Sequence, residues 1–295
     1  MDDLLLRTML FVPANRERML AKAPAARADA IVLDLEDAVP PAEKAAARAS
    51  AQEALPSLAK AGAVFVRING VRSGLTRDDL QAVVAPGLAG VVLPKPEEPQ
   101  DIRDLDVLLR EAEMANGVRP GDITIVPLIE SPRGLLRAQE ILLASDRIAI
   151  TSIGAEDYCA DLGVERNVEG TAIAYLRYAV VTLAAAHRMQ AIDTPYARID
   201  DLEGLVAETK FAQAIGFRGK YVLHPDQVEP VTQIFTPSPE HIDRARADLA
   251  AFEEAQARGE GSVAVNGRMV DAPIATRARH LLARAQQIAA RDPSR

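Results

Sequence analysis

Eight short apolar runs, each stopping at a polar or charged residue and each followed by a helix-length segment, constrain this chain more than any other feature. They fall at residues 8–13, 30–37, 63–69, 90–95, 123–130, 148–153, 190–196 and 219–225. Runs without polar alternation read as strands buried on both faces, as in parallel sheets covered by helices. The segments between them carry helical signals. Residues 15–22 and 101–115 have apolar spacing of a turn, and Pro41 opens an alanine-rich stretch with proline in its first turn. Eight consecutive βα units with right-handed crossovers close on themselves, so the expected fold is an α/β TIM (β/α)8 barrel.

In that fold chemistry sits at the C-terminal ends of the strands. Standing there are Asn15 after the first run, Asp34, Glu36 and Asp37 at the second, Arg67 at the third and Lys95 at the fourth. Glu130 ends the fifth run, Glu156 and Asp157 follow the sixth, Asp193 lies in the seventh and His224 in the eighth. Strand ends are solvated in any barrel, so part of this ring is expected to be ordinary loop polarity. Glu130 is different in kind. A carboxylate at the tip of the run Ile123-Thr-Ile-Val-Pro-Leu-Ile costs several kcal/mol to desolvate unless a cation compensates it. With Gly154-Ala-Glu-Asp157 supplying acid at the next strand end, a divalent cation between the two is the reading, and pairing with Arg133 or Arg67 is its rival. Arg67 presents a planar fork suited to a substrate carboxylate or a developing oxyanion, or else to a salt bridge with Asp34, Glu36 and Asp37. Lys95 raises the prospect of a Schiff base. The surrounding acids should keep it protonated, so it reads as ion-paired. Cys159 lacks a visible activating histidine and reads as packing, His224 as a hydrogen-bonded support.

Composition narrows the classes. A length of 295 residues and an apolar fraction of 48% suffice for one large core. A formal net charge of −8 argues against nucleic acid, while leaving room for a local basic cluster that meets a phosphorylated ligand. One cysteine gives no intrachain disulfide, and with no signal-peptide pattern or bilayer-length apolar run the expected compartment is the cytoplasm, with no membrane partner. The four histidines have no zinc-like spacing. The barrel is expected over residues 1–235 and an extension over 236–295. There, Thr236-Pro-Ser-Pro-Glu240 starts a helix to about residue 258, and Asn266-Gly267 turns a hairpin between 262–265 and 268–271. A basic helix over 273–291 follows. So small an appendage is expected to dock on the barrel or on a neighbouring subunit.

Taken in order, Leu10-Phe-Val-Pro-Ala-Asn-Arg16, Leu33-Asp-Leu-Glu-Asp-Ala38, Val66-Arg-Ile-Asn69, Leu93-Pro-Lys95, Ile129-Glu130, Gly154-Ala-Glu-Asp157, Ala191-Ile-Asp-Thr-Pro-Tyr196, His224-Pro225 and Gly267-Arg-Met-Val-Asp-Ala-Pro273 form a specific set. The chain resembles the citrate lyase β-subunit-like branch of the HpcH/HpaI aldolase superfamily, which includes malyl-CoA and citramalyl-CoA lyases. The resemblance implies that Glu130 and Asp157 ligate Mg2+, with Mn2+ as a substitute. That agrees with a hard cation's preference for one or two carboxylates, waters and substrate oxygens. It further implies that Arg67 meets the substrate, that Glu36 and Asp37 with Asp34 orient waters and Arg67, and that Phe11, Arg16 and Lys22 contact coenzyme A. On pattern alone Phe11 reads equally as core, and Arg16 and Lys22 as solvated helix charges. Asp271 becomes, by resemblance only, the proton donor or acceptor for the acyl-CoA α-carbon, shared across subunits of a homo-oligomer built on trimers. By itself it reads as a cap of the helix near Pro273. The implied activity is a Mg2+-dependent carbon-carbon lyase that cleaves, or forms by Claisen-type condensation, a carboxylated 3-hydroxyacyl-CoA such as malyl-CoA or citramalyl-CoA, with acetyl-CoA and a small 2-oxo acid as products. Alternatives are a citrate lyase β subunit acting on an acyl-carrier-protein thioester, a malyl-CoA thioesterase or malate synthase, and a non-catalytic scaffold.

Overall fold

The computed structural model of the protein describes residues 5–167 and 169–291. Eight parallel strands, β1 (Thr8–Pro13), β2 (Ala30–Asp34), β3 (Ala63–Arg67), β4 (Leu88–Pro94), β5 (Thr124–Ile129), β6 (Ile150–Ile153), β7 (Gln190–Asp193) and β8 (Gly219–Val222), pair in sequence order. β8 then pairs back onto β1, with Met9 opposite Tyr221, and the barrel closes. All six residues of β5 are buried, as a strand covered by helices outside and side-chain layers inside requires.

Several ladders stop short of the predicted ends. The second run ends at Asp34 rather than at residue 37, and the seventh at Asp193 rather than at residue 196. The residues past the ladder are where the chain turns outward to its helix, which carries Glu36, Asp37 and Glu130 into loops above the barrel.

Helix starts are set by local chemistry. Ser131 accepts from the Gly134 N–H at 3.0 Å and Pro132 occupies the first position of the helix Pro132–Leu136. The helix Ala155–Leu162 follows Gly154 directly, its Ala155 N–H donates to the buried Thr194 Oγ1 at 3.1 Å, and Gly163 in the left-handed region ends it. Glu156 and Asp157 therefore stand in its first turn.

The described chain forms two compact units. One spans Leu6–Thr232; the other gathers Leu5 with residues 233–291. In the second unit the helices Pro239–Ala257 and Ala272–Arg291 flank a hairpin of β9 (Ser262–Val265) and β10 (Arg268–Asp271). Asn266 and Gly267 both take positive φ, 49° and 75°, as a type I′ turn demands. Phe252, Val270 and Ala275 make a small apolar cluster with Leu249, Val263, Val265 and Ile274 packed on it. Among the described residues no helix is long and apolar enough to cross a membrane.

Candidate active site

Glu130 is the first residue beyond β5 and is only 3% exposed. Its Oε1 accepts from the Lys95 main-chain N–H at 3.0 Å. Its other flank is free because the neighbouring residue is Gly154: a Cβ there would lie 2.7 Å from Glu130 Cβ and closer still to Oε2. Burial, and then the nearby Asp157 carboxylate, push the Glu130 carboxyl up to about 8 against the opposing pull of Arg67. Asp157 accepts from Lys95 Nζ through Oδ1 at 2.5 Å. The two carboxylates, from different βα units, thus meet at one lysine, whose backbone is left-handed at φ 45°. Arg133, a rival partner in the sequence, pairs instead with Glu98.

Arg67 ends β3. Its Nε and Nη2 donate to the two oxygens of Asp34 at 2.8 and 2.5 Å. Asp34 is itself oriented by the Glu36 and Ala38 N–H groups. Arg67 Nη1 lies 2.9 Å from Glu36 Oε2 and 3.8 Å from Asp37 Oδ2. The Glu36 contact is off the hydrogen-bonding direction, so that buried oxygen is held by charge alone. Burial raises the Glu36 carboxyl to about 7, Arg67 lowering it and Asp37 adding to the rise. For Arg67, burial opposes the charge but Asp34, Glu36 and Glu130 outweigh it, so the guanidinium stays protonated. Beneath it lies Phe11, whose ring centroid is 5.0 Å from the guanidinium carbon and 4.7 Å from the Tyr221 ring. The salt bridge to the β2 acids expected from the sequence is therefore present, and the guanidinium also lies within electrostatic reach of Glu130.

Other residues of the predicted ring have partners of their own. Asp193 does not face the barrel mouth: it is fully buried between Arg177, at 2.9 Å, and Lys220, at 2.6 Å, and its charge serves that cluster. Glu156 is exposed and pairs with Arg166. His224 accepts from the Asp226 N–H at the start of a short turn. Asn15 donates to Glu43 at 2.5 Å. Cys159 is buried, and burial pushes its thiol up, away from an activated thiolate. Arg16 and Lys22 are exposed at either end of the helix Glu17–Lys22. Asp271 belongs to the second unit, where its Oδ1 accepts from the Ile274 N–H at 3.2 Å and caps the last helix.

Sequence reasoning missed Lys44. Its ammonium donates to the Leu35 and Glu36 carbonyls, both at 2.7 Å, and to Asn69 Oδ1 at 2.8 Å, pinning the loop that carries Glu36. Only its place at the start of the helix after β2 hinted at this. Two clefts flank the area. One of about 280 Å3 at the ends of β3 and β4 is lined by Glu36 and Lys95 among others. The other, of about 490 Å3, is lined by Glu156, Cys159, Arg166 and Glu208 and contains neither Arg67 nor Glu130.

The donor set suits a hard divalent cation. Among the described residues no group of three or more His, Cys, Asp or Glu could hold a metal. Two carboxylates with room for waters and substrate oxygens are what Mg2+ accepts, and a glutamate pushed up by burial and then by its acidic neighbour is one that such a cation would stabilise.

An α/β barrel whose mouth gathers two carboxylates, a lysine and a clamped arginine defines the class of protein: one equipped to bind a small acid beside a cation. The chain belongs to the HpcH/HpaI aldolase/citrate lyase family, which it matches over residues 7–225. It is 36% identical over 282 residues to citrate lyase subunit beta of Leuconostoc mesenteroides subsp. cremoris, covering 95% of this chain and 93% of that protein. With mitochondrial citramalyl-CoA lyase of Mus musculus it shares 34% identity, over 96% of this chain and 86% of the other. Its fold matches that of CitE from Mycobacterium tuberculosis, crystallised with magnesium, acetoacetate and coenzyme A. The TM-score is 0.78 at 33% identity, and 96% of this chain and 98% of the other are covered.

Proposed function

We propose that this protein is a Mg2+-dependent carbon-carbon lyase that cleaves, or in reverse forms, a carboxylated 3-hydroxyacyl-CoA of the malyl-CoA or citramalyl-CoA type. The observation that carries the reading is the meeting of Glu130 and Asp157 beside Arg67 at the barrel mouth. In this reading Glu130 and Asp157 hold the cation, which when bound supplies a Lewis acid for the substrate's carboxylate and hydroxyl oxygens. Arg67 spends Nε, one Nη2 hydrogen and the Nη1 edge on Asp34 and Glu36, leaving part of its fork for substrate oxygen. Phe11 holds that fork from below. Glu36, whose carbonyl Lys44 holds, and Asp37 keep the arginine and nearby waters aligned.

Cleavage breaks the bond between the hydroxyl-bearing carbon and the thioester α-carbon. The hydroxyl oxygen becomes the carbonyl of the 2-oxo acid and gives up its proton to solvent, while the electron pair passes to the α-carbon, where Asp271 delivers a proton and is then reprotonated from solvent. Arg16 and Lys22, both exposed, would meet the coenzyme A phosphates, with Phe11 at the acyl end. Asp271 is assigned to the barrel of another copy, in a cytoplasmic homo-oligomer built on trimers. A second reading is a citrate lyase β subunit, as the Leuconostoc relative is named, acting on a thioester of an acyl carrier protein in place of free coenzyme A.

The test is a panel of malyl-, methylmalyl-, citramalyl- and citryl-CoA, with a citryl-acyl-carrier-protein thioester, assayed in Mg2+ for both 2-oxo acid and free thiol. Equimolar 2-oxo acid and acyl thioester without free thiol is expected. Glu130→Ala should lose more than about a hundredfold in kcat, beyond what loss of an outer-shell metal partner costs. Full activity of that variant, or turnover of no thioester, sinks the reading.

A further inference from the structure

We infer that Lys95 is an exchangeable internal counter-ion of the carboxylate pair: its ammonium and a divalent cation compete for Asp157, and the lysine thereby sets how tightly the cation is held. This rests on the reading of Glu130 and Asp157 as the cation site.

Three features of Lys95 divide it into a fixed part and a movable part. Its main chain is fixed: the N–H donates to Glu130 Oε1 at 3.0 Å, and φ is 45°, a region that non-glycine residues enter only when the surroundings hold them there. The side chain is free to move. It is 47% exposed, so its ammonium can leave Asp157 Oδ1 without unpacking any core. It also has somewhere to go, because it lines an adjoining cleft of about 280 Å3 with Glu36 in its wall, although Glu97 and Asp101 there already pair with Arg72. A lysine suits exchange, being a compact charge on a flexible stem. Arg67, the other nearby cation, does not: it is 13% exposed, forked onto Asp34 and paired with Glu36.

The electrostatics give the sign. An ammonium bonded to Asp157 repels any dication bound to the same carboxylate, so each cation that binds must either displace it or tolerate it at close range. Removing the charge while keeping the backbone should therefore tighten cation binding. It should also leave Asp157 without its ion-pair partner, and Glu130 with Arg67 as the remaining positive charge nearby, until a cation arrives.

The experiment uses the full chain with Lys95→Met and Lys95→Gln, the latter keeping a hydrogen-bond donor without charge. Mn2+ affinity is read from the electron paramagnetic resonance signal of free Mn2+, and Tm is read in chelator and in saturating Mn2+. Both variants should bind Mn2+ about tenfold more tightly than the unsubstituted protein, the scale expected when one unit charge is removed from a partly screened site. Both should melt lower in chelator and equally in saturating Mn2+. A residue that merely supported the fold would lower both melting temperatures and leave affinity alone. Unchanged or weaker Mn2+ binding by both variants, with the parent protein binding normally, overturns this inference only. Absence of Mn2+ binding in the parent protein overturns both the inference and the cation site beneath it.

Discussion

Gly154 shows how narrow the tolerance is at single positions around the carboxylates. A methyl group there would stand 2.7 Å from Glu130 Cβ, and Glu130 cannot retreat because its Oε1 is held by the Lys95 N–H. Gly90 is as crowded, a Cβ there meeting Thr124 O and the Phe65 ring at 2.7 Å, but in the barrel wall away from the charges. Both Gly154→Ala and Gly90→Ala should therefore lower Tm, overpacking costing about 1–3 kcal/mol. Only Gly154→Ala should also weaken Mn2+ binding, by about tenfold or more, on the scale of a lost metal-site support. Isothermal titration with Mn2+ of both variants, each below its own Tm, checks this, and equal affinities would mean that Gly154 matters for packing alone. Glu130 stood out in the sequence because a charge at the very tip of a buried apolar run is costly to desolvate, and Asp157 because its segment supplies acid just past the next strand. Gly154 and Lys44 did not, since a glycine's role is the space it leaves and a lysine's partners here are carbonyls.

At the scale of elements, the wall between β7, β8 and the helices Ala174–Ala186 and Leu202–Ile215 is held by charge rather than by apolar packing alone. Lys220 Nζ lies 2.6 Å from Asp193 and 2.7 Å from Glu208, and Arg177 and Arg166 complete the cluster. Reading Asp193 from sequence as a mouth residue failed because strand-end position does not say which way a side chain points. A lysine inside the eighth apolar run was the available hint that a buried acid had to answer it. Burial raises the Glu208 carboxyl, but Lys220, Arg177 and Arg166 overrule it and bring it down to about 2 from 4.5. A carboxyl depressed in the folded state contributes stability that is fully present above its unfolded value and is lost as pH falls through the folded one. The advantage of the parent protein over Glu208→Gln in urea unfolding should thus be flat above about pH 4.5, on the order of 3 kcal/mol, and shrink between about pH 4.5 and 2. A difference that stays constant across that window would show that Glu208 contributes shape and not charge.

Across the whole molecule, the barrel was readable because its period repeats eight times, each run confirming the register of the others. The second unit offered only a turn dipeptide and helix signals, and it contains the one assigned residue whose two readings lead to different assemblies. Asp271 Oδ1 accepts the Ile274 N–H, so the capping reading is realised, yet its second carboxyl oxygen is left for proton transfer. The two roles separate chemically. Serine caps helices about as well as aspartate but cannot shuttle this proton, so Asp271→Ser should keep Tm while losing turnover, whereas Asp271→Ala should lose turnover and about 1 kcal/mol of stability. If Asp271 serves the barrel of another copy, oligomers mixed from Asp271→Ser and Glu130→Ala chains contain sites with an intact Glu130 from one chain and an intact Asp271 from the other. Such oligomers, verified by native mass spectrometry, should recover measurable cleavage of the thioester that the parent protein prefers, although each variant alone is inactive. Inactive mixed oligomers would confine Asp271 to its own chain. Unimpaired turnover by Asp271→Ser would reduce the residue to its cap and leave the α-carbon proton to another group.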